Sequence, residues 1–323
     1  MSQINKLDQI LNTFTNKLVD INNYQSFIKD TTKRSFKHYQ EQIERTKDFD
    51  IGDMASANRL FARDIENGEL LTLGGKNNSF DDLVQTVELH NNKQYQWLLV
   101  EAYETFEDYI DDLYAYIGWK DNTFWVAKDF GNISIDELED KDLEWFKSRV
   151  QAKQGTPESI YKQFRLKMQT LKLLEKKNSQ DIDYNFKIIL IAKLRHIVVH
   201  NRGIIRDLDK FIETIFNEMG ISQNGQNAEK YKSNILFYIG TTVDSENIVL
   251  LLEREKELVE GFSLMTYHDR LGNLIKELAS YSILLKKFTE KYLSDNENLK
   301  KLVTSEEEYK KFFSSSDLYQ YLK

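Results

Sequence analysis

The sequence has 323 residues, 41% hydrophobic and 30% charged, so it can bury a substantial core and is not a disordered chain. Cysteine is absent, which excludes disulfide frameworks and thiolate metal sites and fits a cytoplasmic protein. The net charge of −8 argues against nucleic-acid binding by the chain as a whole, and the apolar run 188–192 is too short to span a membrane, so we expect a soluble protein.

Residues 1–80 are predicted to form an N-terminal helical extension. Apolar residues recur at three- and four-residue steps between Ile4 and Ile21, which predicts a helix from residue 3 and a second helix ending near Arg45. The stretch 50–81 contains Gly74-Gly75 and Asn77-Asn78-Ser79, which indicates a loop. The whole chain has one proline and 13 glycines, a composition that favours long helices.

Residues 81–293 are predicted to form the main helical domain, followed by a polar tail at 294–323. The apolar spacing predicts four helices, at 83–117, 156–177, 184–219 and 264–292. Thr156 and Pro157 indicate a helix start, Asp183 an N-cap, and Gly220 a C-terminal end. An acidic, aromatic insertion separates the first two helices at 120–150, and a short hairpin is predicted within 234–252.

Charge is distributed unevenly along the chain. Residues 101–150 contain 14 acidic and 5 basic residues, a balance of −9, whereas residues 151–210 contain 13 basic and 6 acidic residues, a balance of +7. An acidic protein can therefore still carry a basic site.

The chemistry-bearing residues concentrate in the stretch 194–203, where Arg195, His196, His200 and Arg202 interrupt an apolar helix pattern. On a continuous helix Arg195, Val199, Arg202 and Arg206 would form one stripe, with His196, His200 and Gly203 beside it. Because Arg195 and His200 are five residues apart, about 140° around the axis, one helix does not point both at one atom. Two copies packed across a two-fold axis could bring both pairs into one cleft.

This stretch, Arg195-His196-Ile197-Val198-Val199-His200-Asn201-Arg202-Gly203, resembles the Arg-x4–6-His signature of HEPN ribonucleases. The similarity extends over about 83–292 and includes an earlier aromatic and acidic helix segment, 101–109. It implies a mainly α fold, an antiparallel helical bundle of HEPN type, here with a small β-hairpin and the N-terminal helical extension.

The resemblance also implies a metal-independent endoribonuclease with no cofactor, in which Arg195 and His200 of two protomers form one site. A histidine suits the acid or base role in attack by a 2′-hydroxyl, and an arginine suits stabilisation of the phosphate transition state. Glu107, with Glu104 in reserve, is the expected carboxylate that supports the pair. His196 and Asn201 are expected to support the site.

Lys193, Arg202 and Arg206 are the expected RNA-phosphate contacts, although solvated helix charges would look the same. His196 and His200 could hold a metal at their four-residue spacing, but the glutamate of a His-Glu-x-x-His motif and a third ligand are both missing. We therefore predict no metal site.

The expected partners are RNA, a second copy of the chain, and an antitoxin or regulatory protein, since such nucleases act in toxin systems and anti-phage defence. Two alternatives remain open: a non-catalytic HEPN-like module that binds nucleotide or RNA, and a scaffold whose acidic segment recruits a partner. For Arg195 and His200 themselves, the alternative is a structural ion pair and a buried core histidine.

Overall fold

The computed structural model describes residues 5–46, 54–153, 157–223, 225, 227–242, 245–255 and 267–304. Their α-helices are α1 (Lys6–Thr46), α2 (Phe80–Lys120), α3 (Ala127–Phe130), α4 (Ile135–Glu139), α5 (Leu143–Gln151), α6 (Glu158–Lys167), α7 (Gln169–Lys176), α8 (Tyr184–Asn201), α9 (Leu208–Met219), α10 (Ala228–Leu236) and α11 (Arg270–Thr304). Their strands are β1 (Met54–Arg63), β2 (Leu70–Ser79), β3 (Ile204–Ile205), β4 (Ile239–Thr241), β5 (Asn247–Val249), β6 (Arg254–Glu255) and β7 (Tyr267–His268). The predicted mainly helical fold class is confirmed.

The chain divides into two compact units. The first contains residues 1–18, 103–188 and 276–323, and the second contains residues 19–102 and 189–275. The predicted boundaries at residues 80 and 293 stay predictions.

Residues 6–46 are helical as predicted, but they form one uninterrupted helix, α1, instead of two. Its apolar period is buried at Leu7, Ile10 and Phe14, and in the first unit Phe14 packs against Phe106 and Tyr109 of α2. The regular burial explains the length of the helix, because packing of one apolar face stabilises helices more than propensity does.

The helical description of residues 1–80 is wrong for 54–79, which form an antiparallel hairpin of β1 and β2. The turn lies at Asp64–Glu69, where the Asp64 N–H donates to the Glu69 carbonyl at 2.9 Å and Gly68 has a φ of +76°. Gly74 is not in a loop: it pairs with Leu60 beside a break in register.

The acidic insertion is folded into the first unit as a 3-10 helix, Asn122–Phe124, followed by α3, α4 and α5. Trp125 is buried, stacks on Tyr114 at 5.1 Å between ring centroids, and donates its indole N–H to the Tyr114 carbonyl at 2.9 Å. Trp125 of the insertion therefore belongs to the core. Two of the acidic residues of the insertion cap helices: Glu137 forms a capping box with Ser134 at α4, and Asp142 accepts a hydrogen bond from the Trp145 N–H at α5.

The helix predicted over 156–177 is divided in two at Met168, whose φ and ψ are −122° and 74°. Thr156 lies outside the described residues, and α6 begins one residue after Pro157. Across the break, the Arg165 Nε donates to both carboxylate oxygens of Glu175, at 3.0 and 2.9 Å. This pair of a half-buried arginine and a buried glutamate joins the two helices across the bend, although neither proline nor glycine marks the bend in the sequence.

The helix predicted over 184–219 is also divided, into α8 and α9, with β3 between them. Its two ends were predicted correctly: Asp183 accepts a hydrogen bond from the Phe186 N–H at 3.0 Å, and Gly220, in the left-handed region, caps α9. The predicted hairpin is confirmed in part as β4 and β5, which pair antiparallel, but β3 adds to it in the order β3-β5-β4. Its predicted linker residues Val243 and Asp244 lie outside the described residues.

The last predicted helix, 264–292, corresponds to α11, which begins at Arg270 and continues to Thr304. Residues 264–266 and the tail after 304 lie outside the described residues. No helix in the described ranges combines the length and the apolar composition that a membrane crossing needs.

Candidate active site

The candidate residues lie in the last two turns of α8, within the second unit. One side of this helix is buried through Leu190, Ile191, Leu194 and Val198. His196 and His200 are on its exposed side, whereas Arg195 and Asn201 are half-buried. The apolar ridge therefore fixes which face of α8 presents the histidines to solvent.

The two imidazoles lie next to each other. The ring centroids of His196 and His200 are 4.5 Å apart, as their four-residue spacing on a helix predicts. The pKa of the His196 imidazole lies below its usual value, first because of partial desolvation and then because of the nearby charges of His200, Lys193 and Arg195. At neutral pH the His196 ring is therefore held in its neutral form, which can accept a proton.

The helix ends directly after His200 and Asn201. Arg202 and Gly203 both have positive φ angles, 57° and 82°, and the Gly203 N–H donates to the Ile197 carbonyl at 3.1 Å. A side chain at Gly203 would meet the side chain of Gln96 at 2.6 Å, so glycine is required both by the backbone and by this close approach.

Two buried amides of α2 fix this turn. The side chains of Asn92 and Gln96 both donate to the Val249 carbonyl, at 2.9 and 2.6 Å, and the Asn92 oxygen accepts from the Leu251 N–H at 2.8 Å. The Val249 N–H in turn donates to the Gly203 carbonyl at 2.8 Å. The end of α8 is thus attached to β5, and β5 to α2.

Sequence reasoning did not single out Asn92 and Gln96. Their signal is two amides four residues apart in a helix whose neighbouring positions Tyr95 and Leu99 are fully buried. Buried amides are hydrogen-bonded with few exceptions, so such a pair indicates a structural attachment point.

The predicted phosphate contacts differ in their surroundings. Lys193 forms an ion pair with Glu218 of α9, which offsets its charge. Arg202 and Arg206 are exposed, but they lie beyond the end of α8 and do not extend the stripe of Arg195. The predicted four-residue stripe is therefore wrong, since it assumed a continuous helix through residue 206.

Glu107 is half-buried on α2 and belongs to the first unit, whereas the motif belongs to the second. Its carboxylate is one of the charges that, after burial, raise the pKa of Asp111 to about 7. Glu104 is exposed. The supporting role of either glutamate at Arg195 or His200 stays a prediction.

Over the ranges that the structure describes, no group of three or more histidine, cysteine, aspartate or glutamate side chains is arranged to hold a metal ion. Comparison of the chain with protein-family models, with curated proteins and with solved structures gave no match. The functional argument therefore depends on the residues of α8 and the turn that follows it.

Proposed function

We propose that this protein is an endoribonuclease of the HEPN type, which cleaves RNA through attack of a 2′-hydroxyl on the adjacent phosphate. The observation that supports this most directly is the exposed pair of neighbouring rings, His196 and His200, which follows Arg195 near the end of a helix attached through hydrogen bonds to β5. An exposed pair contradicts the alternative of a buried core histidine.

The reaction requires three groups. A base takes the proton of the 2′-hydroxyl, an acid returns a proton to the 5′-oxygen that leaves, and a cation stabilises the charge on the phosphate oxygens. His196, with its lowered pKa, has the properties of the base. His200 is then the acid, and the guanidinium of Arg195 is the phosphate contact.

The reaction is balanced without a metal or cofactor. The new bond joins the 2′-oxygen to phosphorus, and the bond from phosphorus to the 5′-oxygen breaks. One product ends in a 2′,3′-cyclic phosphate and the other in a 5′-hydroxyl. We propose that Arg195 and His200 act across a homodimer, that Asn201 supports the site, that Arg202 and Arg206 contact the RNA backbone, and that the setting is a toxin system or anti-phage defence.

The test is cleavage of RNA by purified protein in EDTA, with the wild type compared with Arg195→Ala and His200→Ala. Each variant should cut at least about a hundredfold more slowly, the usual scale for losing a positioned acid–base group or a transition-state donor. Both should melt near the wild-type temperature, because His200 is exposed and α8 is anchored by its buried ridge.

His90→Ala is the matched control, since His90 is an exposed histidine on α2. It should cut at the wild-type rate. RNA that stays intact with the wild type, or equal cleavage by wild type and His200→Ala, would contradict the proposal, and 5′-phosphate products would contradict the mechanism.

A further inference from the structure

A cavity of about 230 Å³ lies in the first unit. It is lined by Lys128, Asp129, Arg149, Ala152 and Lys153. Three of these five residues are cationic: Lys128 and Arg149 belong to the acidic segment 101–150, and Lys153 follows it. The fold therefore brings together positive charges that the composition of the acidic segment does not indicate.

The floor of the cavity is a buried, rigid arrangement. One carboxylate oxygen of Asp129 accepts a hydrogen bond from the Lys153 Nζ at 2.5 Å, and the other accepts from the Tyr114 hydroxyl at 2.7 Å. The side chains of Asp129 and Lys153 are only 5% and 7% exposed. The charges of this pair cancel, so it contributes shape and polarity rather than net charge.

Arg149 is held in place from two sides. Its Nε donates to the Asp129 backbone carbonyl at 3.1 Å, and its guanidinium lies against Gly131, where an added Cβ would be 2.7 Å from an Nη atom. Gly131 has a φ of +70°, so both the backbone and the arginine favour glycine.

Two cationic groups of the cavity have no acidic partner in the described part of the chain, the ammonium of Lys128 and the guanidinium of Arg149. Among the described residues Arg149 donates a hydrogen bond from its Nε only, and there its Nη atoms are available to a ligand. With Lys153 neutralised by Asp129, the cavity has a net charge of about +2 at neutral pH.

We propose that this cavity binds a phosphate group of the monoester type. Such a group carries about −1.5 to −2 charges near pH 7, which matches the two uncompensated cations. The planar fork of an arginine fits two phosphate oxygens, and a lysine supplies a further point charge. The inference goes beyond the proposed cleavage chemistry and does not depend on it.

The experiment is calorimetric titration of the full-length protein at low salt with four probes: inorganic phosphate, adenosine 5′-monophosphate, and one short 2′-O-methyl RNA, which has no 2′-hydroxyl to attack its phosphates, with either a 5′-phosphate or a 5′-hydroxyl. Binding of all three phosphate-bearing probes supports the site, and their ranking distinguishes a free ion from a nucleotide or an RNA end. The 5′-hydroxyl RNA should lack the part of the affinity that the site supplies.

Lys128→Gln and Arg149→Gln should each weaken phosphate binding about tenfold or more, the scale of one lost charge-assisted hydrogen bond. Lys141→Gln, which removes a lysine of the same segment that does not line the cavity, should bind like the wild type. Lys128 is exposed, so its variant keeps the fold even if Arg149→Gln does not. Absence of phosphate binding at millimolar concentration, or equal binding by Lys128→Gln and Lys141→Gln, would overturn the proposal.

Discussion

Folding raises the pKa of one carboxyl group, that of Asp111. It is half-buried on α2, and one of its oxygens has no hydrogen-bond donor among the described residues. Burial first, and then the charges of Glu107, Asp108 and Asp112, raise its pKa to about 7. The folded protein therefore keeps a proton that the unfolded chain loses near pH 4.

Replacement of Asp111 by asparagine should stabilise the protein at high pH only. The free energy of unfolding of the wild type falls as the pH rises from about 4 to 7, because over this window the folded state binds one more proton than the unfolded state. Above pH 7 the carboxyl group ionises in the folded state too, and the lost stability is not regained. Asp111→Asn should add at most about 4 kcal/mol to the free energy of unfolding at pH 8, the equivalent of three pKa units, and nothing at pH 4.

Thermal melts at the two pH values check this prediction. Asp108→Asn is the control, because Asp108 is exposed and its replacement should change the melting temperature little at either pH. A gain for Asp111→Asn that is equal at pH 4 and pH 8 would show that the carboxylate is not protonated in the folded state.

The candidate residues could be identified from the sequence, but the residue at which their helix ends could not. The spacing of His196 and His200 predicts neighbouring rings, which the structure confirms. The apolar period, however, continues through Ile204, Ile205 and Leu208 as if the helix did not stop. The break at Gly203 depends on Gln96, which no local pattern connects to it.

At the scale of elements, the connection between α2 and β5 determines where α8 ends. Asn92→Ala would remove a donor to the Val249 carbonyl and the acceptor of the Leu251 N–H. This N–H would then be buried without a partner, so we expect a loss of about 1–3 kcal/mol of stability. Hydrogen exchange of the Leu251 amide should accelerate accordingly.

Asn91→Ala provides the matched comparison. Asn91 is the neighbouring asparagine on the same helix, also buried, and its side-chain oxygen has no partner among the described residues. Asn91→Ala should lower the free energy of unfolding less than Asn92→Ala does, and it should leave the hydrogen exchange of the Leu251 amide unchanged. Equal destabilisation by both variants would mean that the hydrogen bonds of Asn92 contribute nothing specific.

The hairpin of β1 and β2 could not be predicted from the sequence, for a physical reason. Strand patterns are recognised by alternation of buried and exposed side chains, and nearly all of β2 is exposed on both faces. Without a buried face there is no alternation, so the polar, glycine-containing stretch resembled a loop. The actual turn signal was Asn67-Gly68, between the two strands.

At the scale of the whole molecule, the count of charged residues overstates how much positive charge the segment 151–210 can offer to a ligand. Lys187 pairs with Glu277 at 2.9 Å, Arg165 pairs with Glu175, and Lys193 pairs with Glu218. With Lys153, which pairs with Asp129, four of the segment's 13 basic residues are compensated in the described part of the chain, three of them by acids from outside the segment. Sequence composition locates charge along the chain, but only the fold shows which charges remain available to a ligand.

The last prediction concerns the assembly that the proposed nuclease requires. Arg195 and His200 are five residues apart on α8, about 140° around its axis, so within one chain they point in different directions. In a two-fold dimer, the arginine of one protomer can meet the histidine of its partner, and the symmetry produces this pairing twice. Light scattering at micromolar concentration should accordingly show a dimer.

Mixing inactive variants tests whether the pairing is between chains. A heterodimer of Arg195→Ala and His200→Ala protomers retains one intact pairing of the two. Half of the dimers formed from an equal mixture are heterodimers, so activity should return to about a quarter of the wild-type level after the subunits exchange. Each variant alone stays inactive and serves as the control. A mixture as inactive as its components would place both residues of each site on one chain, and a wild type that is monomeric in the presence of RNA would exclude the shared site altogether.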